Sequence, residues 1–125
     1  MKKIFAIAAG LMLTASVFAQ APQKMSYQAV IRNSNDALVA SSPVGVRISI
    51  LQGTSTGTVV YSETQSPGTN ANGLVSLEIG TGIPVTGAFE DIYWAAGPYF
   101  IKTETDPTGG TNYTITGTNE LMSVP

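Results

Sequence analysis

The chain is 125 residues long, 43% apolar and only 11% charged, with no histidine, no cysteine and a formal net charge of −2. Lacking histidine and cysteine, it has no usual general base near neutral pH, no thiolate nucleophile, no main transition-metal ligand and no disulfide framework. Lacking a basic excess, it has no cation cluster for nucleic acid or an anionic membrane surface.

The chain opens with Lys2 and Lys3, an apolar stretch from Ile4 to Leu13, and then small residues with Val17 and Ala19 before a cut. This pattern predicts a secretory signal over residues 1–19, cleaved between Ala19 and Gln20. Thr14 and Ser16 interrupt the apolar run, which falls short of the roughly 20 residues a membrane span needs. The expected product is therefore secreted or held at the cell surface, with no membrane span. Loss of Lys2 and Lys3 leaves four of the six basic residues (6 − 2) against eight acidic ones, a balance of −4. Residues 20–125 are enough for one domain with its own core.

β-branched and aromatic residues recur beyond Gln20 in short runs, set apart by Gly, Asn, Pro and Ser. That is the composition of antiparallel strands. In "MSYQAVIRN", Tyr27, Ala29 and Ile31 are expected to share a face. "VGVRISI" alternates most clearly: Val44, Val46, Ile48 and Ile50 fall on one side, and Gly45, Arg47 and Ser49 on the other. A period of two over seven residues excludes a helix and predicts a strand with one wet face. "GTSTGT" is a polar loop. "TVVYSETQ" and "GLVSLEIG" follow, the latter with Val75, Leu77 and Ile79 on its buried side and "NANG" as a turn just before it. Thr58 to Ile79 is accordingly predicted to be a hairpin with its loop near Pro67 to Gly73. "TGAFEDIYWAAG" places Phe89, Ile92 and Tyr93 at i, i+3 and i+4, which allows one short helical turn. In "PYFIKTET" Tyr99, Ile101 and Thr103 share a face, in "YTITGT" Tyr113 and Ile115 do, and "DPTGGTN" is the tight turn between these runs. The sum is an all-β fold: a single antiparallel β-sandwich of about seven strands, immunoglobulin-like or transthyretin-like.

Chemistry must then come from carboxylates or aromatic rings. Glu90 with Asp91, Glu104 with Asp106, and Glu63 and Glu78 are the acid–base candidates of a glycosidase, yet alternation and turns put most of them in solvent. Glu104, Asp106 and Asn112 in "ETDPTGGTN" fall short of a calcium loop, which needs more oxygen ligands at regular spacing, and read as a turn. No catalytic residue, cofactor or metal is expected. Tyr93, Trp94 and Tyr99 lie close enough in sequence to stack against a sugar ring, whereas a lone tryptophan in a small sandwich more often anchors the core. The core role predicts a largely buried Trp94 whose indole N–H meets a backbone carbonyl.

"KMSYQAVIRNSNDALV", "VGVRISIL", "NANGLVSLEIGTG", "GPYFIKTETDPTGG" and "NELMSVP" together resemble an N-terminal domain of secreted surface proteins of Bacteroidota, similar to tail-fibre and collagen-like adhesins. The resemblance implies a signal peptide and a β-sandwich followed by an "SVPYA" joint to a stalk, of which the chain holds only "SVP". It implies a non-enzymatic structural or adhesion module that caps a surface fibre, with a downstream stalk module or other surface proteins as partners. The different expectation drawn from the aromatic residues is a small carbohydrate-binding module. With no heptad run, the chain is expected to be a monomer, with Leu121, Met122 and Val124 offering a weak route to self-association.

Overall fold

The computed structural model describes residues 24–122, so the expected signal, its cleavage site and Val124 lie outside the described residues. Seven strands are present among them: β1 (Met25–Val30), β2 (Gly45–Gln52), β3 (Thr58–Gln65), β4 (Leu74–Ile79), β5 (Ile83–Thr86), β6 (Tyr99–Asp106) and β7 (Ile115–Glu120). They form two antiparallel sheets, one of β1 and β4 and one in the order β5-β3-β2-β6-β7. Between β5 and β6 the chain makes two 3-10 turns, Phe89–Asp91 and Trp94–Ala96. The fold is an all-β sandwich.

The alternation in the sequence is the alternation in the core. Val44, Val46, Ile48 and Ile50 from the β2 run meet Leu77 and Ile79 of β4, Tyr61 of β3, and Tyr99 and Ile101 of β6, with Phe89 and Ile92 closing one end. Met25 and Tyr27 of β1 are only partly buried against this cluster, because the smaller sheet covers only part of the larger one. β2 is central, paired on both sides, and its outward Ser49 is consequently buried as well. Outward Arg47 forms a two-pronged ion pair with Glu104 on β6, at 2.9 and 2.8 Å, and lies 4.8 Å from the Tyr113 ring centre.

The hairpin expected over Thr58–Ile79 does not form. β3 pairs with β2 and β5, while β4 pairs with β1. The connecting residues 66–73 cross from one sheet to the other along the segment before β2: Val44 N–H donates to Pro67 O, and Thr69 N–H to Ser42 O, each at 2.9 Å. The "NANG" turn is real, with Asn70 Oδ1 accepting from Asn72 N–H and Leu74 N–H. Its Gly73 has φ +75° and sits where a Cβ would lie 3.1 Å from Leu38 Cδ2. Sheets pack about 10 Å apart, a gap that eight residues span easily. β5, short and containing Pro84, has no counterpart among the predicted runs. The "DPTGGTN" hairpin between β6 and β7 forms as expected, and Leu121 N–H extends its ladder by donating to Tyr99 O at 2.8 Å.

Candidate functional site

The three aromatic residues singled out in the sequence do not share a surface. Tyr99 is a core residue, 3% exposed, whose hydroxyl donates to Tyr93 O at 2.5 Å. Trp94 is half-buried, edge-on to Phe89 and to Tyr99 with ring centres 5.8 and 5.2 Å apart, so it plugs one end of the sandwich. Tyr93 points outward, 71% exposed. A three-ring platform for a sugar is therefore not assembled: the Trp94 and Tyr99 rings cross at 71°, and only Tyr93 is fully presented. Trp94 packs against the core as expected, while the expected bond from its indole N–H to a backbone carbonyl is not found among the described residues. The Phe89–Asp91 turn ends before Ile92 and Tyr93, which are extended, so Tyr93 does not continue the buried Phe89 face, and Trp94 opens the second turn.

The carboxylates depart further from expectation. Glu63, one of the carboxylates of which most were expected in solvent from alternation and turns, is fully buried at 0% exposure. Its Oε1 accepts from the Tyr61 hydroxyl and from Gly80 N–H, both at 2.6 Å, and its Oε2 from Gln65 Nε2 at 2.5 Å and Gly82 N–H at 3.1 Å. Four donors thus meet one carboxylate, which compensates a burial that would otherwise be costly. The side chain ties β3 in the larger sheet to the turn that carries β4 of the smaller sheet into β5. A Cβ at Gly82 would lie 2.5 Å from Glu63 Oε2, so the turn is shaped around the carboxylate. Burial, reinforced by Glu63, pushes the Tyr61 phenol well above its ordinary range. The sequence did carry the signal: alternation along "TVVYSETQ" puts Glu63 on the face of Tyr61.

Asp106 is likewise buried, at 3% exposure. Its Oδ1 accepts from the Thr108 hydroxyl and Thr108 N–H, and its Oδ2 from Gly110 N–H and Asn112 N–H. These bonds, the Thr108 hydroxyl foremost, hold its carboxyl below the usual range. Glu104 turns away to Arg47, which lowers its carboxyl in the same sense. Glu104 and Asp106, weighed in the sequence as calcium ligands and read as a turn, are thus separated into an ion pair and a turn lock. Among the described residues no group of three or more acidic side chains is placed to hold a metal ion, and no helix is long and apolar enough to cross a membrane.

An apolar groove of about 180 Å³ lies between the sheets, bounded by β1 on one side and β7 on the other. Tyr27, Ile31, Val46, Leu77 and Ile115 line it, with Thr103 and Thr105 among its few hydroxyls. Its lining holds no carboxylate and no cation. Fold and site together define a small β-sandwich whose buried acids serve its own turns. Residues 26–119 match the model of a domain of unknown function (DUF8740), and the chain belongs to that family. No curated protein and no solved structure matches the chain.

Proposed function

We propose that the chain is a non-enzymatic, exported structural or adhesion module that forms the N-terminal cap of a surface fibre or tail-fibre-like protein. The observation that carries this reading is where the buried polar groups are spent. Glu63 and Asp106, the carboxylates best shielded from water, are saturated by donors from their own strand and from neighbouring turns, so neither has a free face to offer a substrate. Leu121 adds support: it packs partly buried against the core and is hydrogen-bonded to β6, a firm anchorage for chain that continues along β7. The export pattern of the first nineteen residues and the resemblance to fibre-forming surface proteins agree with it.

The test is to locate the protein. Amino-terminal sequencing of material from the producing cell is expected to begin at Gln20, and immunogold labelling is expected to mark the cell surface; an intracellular chain that still begins at Met1 refutes the proposal. Tyr93, exposed beside half-buried Trp94, motivates the carbohydrate-binding alternative. A glycan array read together with Trp94 fluorescence decides it, and a saturable glycan response would replace the structural reading.

A further inference from the structure

The sandwich is closed on one side and open on the other. On the closed side, β5 ends the larger sheet with Pro84, which has no N–H to offer a neighbour. The free side of β4 is capped by side chains, since Glu78 O accepts from Gln65 Nε2 at 2.8 Å and from Thr81 Oγ1 at 2.7 Å. Both are ordinary ways of protecting a sheet edge.

On the open side neither device is present. β1 and β7 are terminal strands of their sheets, and among the described residues nothing pairs with their outer edges. Ile31 N–H donates to Gly73 O, so strand alternation turns the N–H and C=O groups of Ser26, Gln28 and Val30 to the free edge. Leu121 N–H donates to Tyr99 O, which by the same alternation leaves Thr116, Thr118 and Glu120 facing outward. β1 has no charge and no proline, and β7 has a single charge, Glu120, at its end. Val30 is exposed, and the apolar groove lies between the two edges.

We propose that this open side is a homodimer interface, in which two copies related by a two-fold axis pair β1 with β1 and β7 with β7, so that both sheets run through the dimer. A second copy is favoured over an added peptide strand because one strand can satisfy only one of the two edges, whereas a second copy presents both at once. Self-pairing brings no like charges opposite one another within β1, where a charged edge would repel its own copy. The inward side chains of each β1 then extend over the other copy's β7 and close its groove, which accounts for Met25, Tyr27 and Ala29 being only half-buried in one chain. The monomer expected from the missing heptads concerned helical association, and strand edges are a separate route. The proposal is independent of the fibre reading.

Sedimentation equilibrium of the purified full chain tests it. The expected result is a mass twice that of one chain across the micromolar range. Gln28→Lys, an exposed change that puts two ammonium groups side by side at the axis, is expected to halve that mass while circular dichroism stays that of the parent. Thr118→Lys on β7 is the second variant, should the first disturb folding. Ile83→Lys on the blocked β5 edge is expected to leave the dimer intact. A parent that stays monomeric overturns the proposal, and so does a dimer that survives both Gln28→Lys and Thr118→Lys.

Discussion

Replacing Glu63 by glutamine tests whether its carboxylate holds the two sheets in register. The change keeps the size of the side chain and removes one acceptor oxygen. The introduced amide would still accept from Tyr61 and Gly80 through its remaining oxygen, but its nitrogen would face Gly82 N–H and Gln65 Nε2, donor against donor. Gln65 can turn, because it already has Glu78 O as a second acceptor. Gly82 N–H cannot, and a shielded donor left without a partner costs about 1–3 kcal/mol. Weakening of the retained bonds from charge-assisted to neutral adds roughly 1 kcal/mol more. The sum is about 2–4 kcal/mol, a large share of the roughly 5–15 kcal/mol that stabilises a domain. With a urea slope of about 1–3 kcal/mol per molar, the unfolding midpoint should fall by roughly 1–3 M. Urea titration followed by circular dichroism measures it. A midpoint within experimental error of the parent would mean that the four bonds carry no net stability and that the β4–β5 turn holds itself.

Leu77→Asp should prevent folding, because a carboxylate placed in the β2–β4 contact finds none of the donors that Glu63 has; a parent-like circular dichroism spectrum would contradict that facing. Trp94→Ala should cost about 2–3 kcal/mol, less than the roughly 3–5 kcal/mol typical of fully buried aromatic truncations, with parent emission between that of buried and of free indole; emission matching free tryptophan would place the ring off the core. Asp106 and Glu104 have folded values below their ordinary ones. Their contribution is therefore complete above the unfolded carboxylate range near about pH 4 and is lost as pH falls through the folded values. Thermal melts from neutral to acid pH should show this loss, and Asp106→Ala should flatten the acid limb; an unchanged limb would remove Asp106 from the account. Tyr61, shifted upward, should still be protonated when the ordinary phenol range near about pH 10 is passed. Tyrosinate absorbance of the parent and of Tyr61→Phe should coincide through that range, and an additional phenol titrating in the parent near about pH 10 would count against the shift.

How much of this was legible beforehand follows from which properties are local. Strand alternation is local, since side chains point to opposite faces by turns, and reading "VGVRISI" and "GLVSLEIG" by that rule alone identifies Val46, Ile48, Ile50, Val75, Leu77 and Ile79 as core. The turn at "DPTGGTN" is local too, because Asp106 bonds to backbone groups two to six residues ahead of it. Pairing is not local: β3 and β4 bury their faces in the same core and either could have joined the other, but β2 and β1 compete for their edges and win. Nor is the environment of an acid. Glu63 is polar in any list of residues, yet its donors Gly80 and Gly82 lie 17 and 19 residues on, and they converge on it only once β4 has crossed to the other sheet. The sequence by itself determined which faces would be dry and where the chain would turn, because these depend on neighbours a few residues apart. Only the tertiary structure decided which edges would meet and which donors would surround the buried Glu63, because those depend on segments that folding brings together.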